Sequence, residues 1–125
     1  MASYLIKGRY AGIEARLAAV PPADVSISVV TRAELLYGLK RIAPGHLLHV
    51  AVREFLRIVR TLAWDAGAAD QYADIRHQLV SSGQPIGEMD MMTAAHALSV
   101  SAVLVTNNMR HFERIAAPLM LVNWI

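Results

Sequence analysis

Apolar residues recur along the chain in two alternating rhythms. Ile13, Leu17 and Val20 recur at helical spacing and Pro21-Pro22 closes that segment, so a short helix is expected there. Val25-Ser26-Ile27-Ser28-Val29 alternates β-branched and small polar residues, the pattern of a strand with two unlike faces. A helix is predicted from Arg32 to about Ile42. From His46 to Arg60, Leu48, Val52, Phe55 and Val59 share one face while Arg53, Arg57 and Arg60 share another, which predicts a long amphipathic helix. Leu62-Ala63-Trp64 is a strand candidate and Asp65 an N-cap. Tyr72, Ile75 and Leu79 mark the buried stripe of a helix ending before Gly83. Beyond the Gly83–Gly87 loop, Glu88 to Ser99 is predicted helical, followed by a strand over Ala102–Thr106 and a last one around Leu119–Asn123.

Short buried strands that alternate with helices argue for an α/β fold with a mostly parallel sheet, because parallel neighbours need crossover helices. The opening Ser3-Tyr4-Leu5-Ile6-Lys7-Gly8 reads as the tail of a helix approaching a glycine C-cap. On that reading the first strand is missing.

The chain has 125 residues, 55% hydrophobic and 18% charged. That balance fits one globular unit, residues 1–125, and excludes disorder and a multidomain enzyme. Cysteine is absent, which removes disulfides, thiolate nucleophiles and thiolate zinc sites, and fits a reducing cytoplasm. A formal charge of +2 gives no strong nucleic-acid footprint. Met91–Met109 lacks formal charges but carries Thr93, His96, Ser99, Asn107 and Asn108 and changes period partway, so no membrane span is expected. The N-terminus lacks the pattern of a secretory signal.

In open α/β sheets ligands gather beyond the carboxyl ends of strands, which directs attention to three places. Thr31 and Glu34 have the spacing of a capping box, and taken alone that is the favoured role for Glu34. Glu88 and Asp90 stand at a helix mouth, where the dipole favours acids, but Asp90 lies among Met89, Met91 and Met92, in apolar surroundings where a cation would offset its charge. Asn107-Asn108 follow a strand and commonly form a turn. Two carboxylates and an amide from separate strand ends could still converge. Oxygen ligands of this kind suit Mg2+ or Mn2+ over zinc, and phosphodiester hydrolysis is the reaction they fit best. His46, His49 and His96 form no ligand set, and His96 reads as a packed core residue.

Through Ser3–Gly8, Ser28–Gly38, Pro85–Asp90 with His96-Ala97, Leu104–Asn108 with Phe112–Ile115, and Asn123-Trp124, the chain resembles the VapC-type toxins of the PIN-domain ribonucleases. The resemblance implies a three-layer PIN-like fold and a toxin of a type II toxin-antitoxin system. Its implied activity is that of a Mg2+-dependent endoribonuclease, with Mn2+ as the other candidate ion, cleaving structured RNA such as tRNA or rRNA. It also implies a VapB-type antitoxin partner and a homodimer.

By the same resemblance Glu34 and Asp90 are metal-site acids and Asn108 completes the catalytic set. Thr106 resembles a recurrent polar residue beside the pocket, and Glu88, which matches no family ligand, is auxiliary at most. Arg110 and His111 are candidates for RNA or antitoxin contact. Family members open with a hydrophobic strand that ends in Asp-Thr-Asn, where this chain has only Met1-Ala2. The first acid and central strand are therefore expected to be missing from this chain, through either a start assigned too late or a truncated domain, and a truncated domain carries an alternative function: an inactive module that binds antitoxin or dimerises. A receiver-type phosphate or cation binder is a third reading, against which the Thr31–Gly38 motif argues.

Overall fold

The computed structural model describes residues 3–7 and 19–124. Five strands form one sheet: β1 (Tyr4–Ile6), β2 (Val25–Ser28), β3 (Arg60–Leu62), β4 (Val103–Val105) and β5 (Leu121–Val122), in spatial order β3-β2-β1-β4-β5. Every neighbouring pair runs parallel. The described helices are α1 (Val29–Lys40), α2 (Leu47–Ile58), α3 (Ala66–Ser81), α4 (Glu88–Ser99) and the short α5 (Met109–Phe112), with a 3-10 turn at Pro22–Asp24.

Alternation along the central strands divides the core into two layers. Leu5 and Leu104 face a cluster that holds Ile75 and Leu79 of α3 and Met91, Ala94 and Ala95 of α4. Ile6 and Val105 face the other cluster, with Leu39 of α1 and Val52, Phe55 and Leu56 of α2. The small side chains of α4, with Ala94, Ala95 and Ala97 fully buried, allow it to pack closely against α3. Trp124 packs against Tyr4 in a tilted arrangement, with 5.0 Å between ring centroids.

The central strand corrects the expectation of a helix tail at the start of the chain. Tyr4–Ile6 takes the central place in the sheet, paired with β2 on one side and β4 on the other. The ladder is extended by Val103 N–H donating to the Ser3 carbonyl at 2.7 Å and Lys7 N–H donating to the Val105 carbonyl at 2.8 Å. A run of three apolar residues carries no period of its own. The gap between two strand edges decides the matter, because a strand there satisfies backbone groups that would otherwise be orphaned in the core.

The expected helix over Ile13–Val20 and the Gly8 cap lie almost wholly outside the described residues. Elsewhere the differences are small: α1 starts three residues earlier than predicted, β3 sits at Arg60–Leu62 rather than Leu62–Trp64, and α5 is added. Among the described residues no helix is long and apolar enough to cross a membrane.

Candidate functional site

The chain leaves β1 for β2 and β3 on one side, then returns to β4 and β5 on the other. The order reverses between β1 and β4, and crossovers diverging from such a point open a crevice at the strands' carboxyl ends. A cavity of about 840 Å3 lies there, lined by Lys7, Thr31, Glu34, Asp90, Thr106 and Asn108 among its polar residues.

Glu34 reaches this cavity because α1 begins directly at the end of β2. Ser28, the last strand residue, is the N-cap, its side chain accepting from Val30 N–H at 3.2 Å. This overturns the capping box expected of Thr31 and Glu34. Both residues lie inside the helix, three apart and so on one face, and both line the cavity. Thr31 is buried, and its Oγ1 is the sole buried side-chain polar atom among the described residues with no hydrogen-bond partner. Asp90 sits in the first turn of α4, whose N-cap, Gly87, offers no side chain to the helix start.

Beyond β4, the Thr106 hydroxyl accepts from Asn108 N–H at 3.0 Å, so the auxiliary residue Thr106 shapes the turn that presents Asn108. The Asn108 amide donates to His111 Nδ1 at 2.8 Å. That ring nitrogen is also 3.6 Å from Asp90 Oδ2, too long for a hydrogen bond. His111 therefore borders the acids from α5, whereas Arg110 is exposed beside it. Glu88 points elsewhere: it pairs with Arg76 of α3 at 3.1 Å, outside the cavity lining.

The residue that the sequence reading passed over is Lys7. It follows β1 directly, and its ammonium lies 2.5 Å from Glu34 Oε1 and 3.2 Å from Asp90 Oδ1. Its side chain is 11% exposed, against 30% for Glu34 and 22% for Asp90. The signal was present in the rule that polar residues beyond strand ends merit inspection. It was lost because Tyr4–Ile6 reads as helix in the sequence.

A divalent ion of the expected kind does not fit the site as it is folded. Mg2+ demands oxygens at about 2.0–2.1 Å in octahedral array, and Lys7 already holds one oxygen of Glu34 and one of Asp90, placing a positive charge between them. No group of three or more His, Cys, Asp or Glu residues among the described ones could hold a metal.

The other expected non-ligands take structural roles. His46 caps α2, accepting from Leu48 N–H at 3.0 Å, and His49 contacts the Ile42 carbonyl at 3.2 Å. His96 is 1% exposed and bonded to Ser28 Oγ at 2.7 Å. Burial lowers its pKa below the ordinary histidine value, with Asp65 opposing that shift. Arg57 is engaged by Glu54 on the outer face of α2, in keeping with a solvated helix face. Met91 fills the core, whereas Met89 is 45% exposed.

The profile of the PIN domain matches residues 2–118. The chain is 34% identical over 112 residues to the tRNA(fMet)-specific endonuclease VapC of Shigella flexneri, covering 90% of this chain and 84% of that one. It is 44% identical over 90 residues to the protein of the same name from Salmonella typhimurium, covering 71% and 67%. Ribonuclease VapC2 of Haemophilus influenzae is 35% identical over 99 residues, covering 79% and 74%.

Among solved structures, DNA-bound VapBC from Salmonella typhimurium aligns over 100% of both chains with a TM-score of 0.86 at 29% identity. VapBC2 from Rickettsia felis, bound to a promoter DNA fragment, aligns over 98% of both with a TM-score of 0.85 at 27% identity. With the switch-point cavity, the acids on α1 and α4 and the likeness running through nearly the whole sequence, the chain belongs to the PIN-domain family, in its VapC branch.

Proposed function

We propose that this protein is the toxin of a VapBC-type pair: an endoribonuclease of structured RNA, tRNA first among the candidates, acting in the cytoplasm and restrained by a VapB-type antitoxin. The observation that carries the reading is the meeting of Glu34, Asp90 and Asn108 on one cavity, in a chain 34–44% identical to VapC endonucleases. PIN-domain ribonucleases are generally metal-dependent. Mg2+, with Mn2+ as the alternative, is the ion that two carboxylates and an amide select by their chemistry, and Lys7 must leave Glu34 and Asp90 before such an ion is held.

The roles that follow from the chain's own residues are limited and specific. Glu34 and Asp90 supply negative charge at the crevice floor. Asn108 is oriented by Thr106 beneath it and by His111 beside it. Arg110 and His111, on the rim, are the proposed contacts for RNA phosphates or for an acidic face of the antitoxin. A homodimer is part of the proposal.

A second reading is favoured by one observation, the Lys7 bridge: the chain binds antitoxin or a second copy of itself without hydrolysing RNA. The two are separated by Glu34→Gln and Asp90→Asn. For a nuclease, cleavage of a tRNA pool in Mg2+ is lost in both variants while antitoxin affinity is retained. If wild-type protein purified free of antitoxin leaves tRNA and rRNA intact at millimolar Mg2+ and Mn2+, the nuclease reading is wrong and the binding module stands.

A further inference from the structure

We propose that Lys7 is the resident cation of the acidic cluster, an internal plug that competes with a divalent ion for Glu34 and Asp90 and so sets the chain's metal affinity. The inference rests on the proposed nuclease reading for its biological meaning, but not for its test.

Three observations carry it. The ammonium lies 2.5 Å from Glu34 Oε1 and 3.2 Å from Asp90 Oδ1, so one cation joins α1 to α4 across the end of β1. The lysine is 11% exposed, which keeps water from weakening the pair as it would at a surface. Its anchor is rigid, since Lys7 N–H donates to the Val105 carbonyl at 2.8 Å while Ile6 beside it is 1% exposed. Independently, the partnerless Thr31 Oγ1 lines the same cavity, which marks the crevice as built for a ligand that satisfies it.

The competition follows from charge. A lysine and two carboxylates sum to a single negative charge, which is poor attraction for a dication. With the ammonium withdrawn the same acids present two negative charges and open oxygen lone pairs. The long lysine stem has the rotatable bonds to swing the ammonium toward solvent without moving β1.

The test measures Mn2+ binding by calorimetry in the full chain and in Lys7→Gln. Lys7→Gln is expected to bind Mn2+ about tenfold more tightly or better, the scale of one like charge removed from a half-buried site. Equal affinities would overturn the proposal.

A second measurement needs no variant. The chain has two lysines, Lys7 and Lys40, and Lys40 is exposed. Acetylation followed by mass spectrometry should label Lys7 several-fold more slowly than Lys40, and millimolar Mn2+ should speed Lys7 alone. Labelling of Lys7 at the Lys40 rate, unchanged by Mn2+, would refute the plug even if Lys7→Gln did not fold. RNA cleavage is scored in the same samples. A Lys7→Gln protein that binds Mn2+ tightly and leaves RNA intact counts against the nuclease reading alone.

Discussion

Asp90 and His96 are carried by the same helix, six positions apart, and the protein handles the two polar groups in opposite ways. His96 is sealed in the core at 1% exposure, bonded to Ser28, which in turn caps α1. Burial keeps the ring neutral, so the contact joins α4 to the β2–α1 junction without burying a charge. Asp90 stands at the helix mouth with 22% of its side chain exposed, and its contacts, Lys7 and His111, are a flexible cation and an ionisable ring. The inner group fixes the scaffold. The outer one is held in a pair that a ligand can replace, and the difference between them is depth along one helix.

The largest effect should come from the inner group. His96→Ala removes a buried ring and its hydrogen bond, and is expected to cost about 3 kcal/mol of folding stability, the scale of a cavity plus one lost contact. Urea unfolding followed by circular dichroism measures it. A loss no larger than that of an exposed substitution would mean that His96 is not part of the core, and the contrast with Asp90 would collapse.

Next comes the outer cluster. Lys7→Ala leaves two carboxylates without their cation and is expected to destabilise by about 2 kcal/mol, between surface and fully buried pairs. Unlike the His96 loss, this one should be recovered when Mn2+ is added before the melt. A deficit insensitive to Mn2+ would mean that the acids do not act together.

The pH dependence sharpens the comparison further. Because burial lowers the His96 pKa in the folded state, the unfolded chain takes up a proton near pH 6.5 that the folded chain refuses. Stability from this group is therefore full above pH 6.5 and falls as the pH drops below it. Chemical denaturation at pH 8, 7, 6 and 5 should show that decline in wild type and a flatter profile in His96→Asn. Parallel profiles would remove the neutral buried histidine from the account. The smallest effect is expected at Glu88, whose pair with Arg76 is solvent-exposed. Glu88→Ala should leave unfolding and RNA cleavage unchanged, and a loss of cleavage would bring Glu88 back into the site.

Much of this arrangement is legible in the residues. Glu88–Ser99 is found with the predicted bounds, because Pro85 and Gly87 end the preceding loop and a long alanine-rich run follows. Asp65 caps α3 as expected, accepting from Ala68 N–H at 3.1 Å. Glu34, Asp90, Thr106 and Asn108 do line one cavity, since strand ends in a parallel sheet share one edge by construction.

Two features were hidden for definite reasons. Thr31 and Glu34 match the capping-box spacing, but Ser28 at the end of β2 is an equally good cap and lies earlier, so the helix starts there and turns both residues into the cavity. Tyr4–Ile6 is too short to show a period, and its strand state depends on partners at Val25 and Val103 that are distant in sequence. That single misreading concealed Lys7 as well, since a lysine after a helix tail is unremarkable and a lysine after a central strand stands at the switch point.

The central claim is that Glu34 and Asp90 meet at the head of the sheet with Lys7 as their cation. Diffraction from wild-type and Lys7→Gln crystals grown without divalent cations and then soaked in graded Mn2+, collected at the manganese edge, tests it most directly. The expected result is continuous density for the Lys7 ammonium between the two carboxylates before Mn2+ is added, and an anomalous peak there that appears at lower Mn2+ in Lys7→Gln crystals than in the wild type. Lys7 turned away from Glu34 and Asp90 in the metal-free wild type, or a manganese peak that appears at the same Mn2+ concentration in both proteins, would contradict the account.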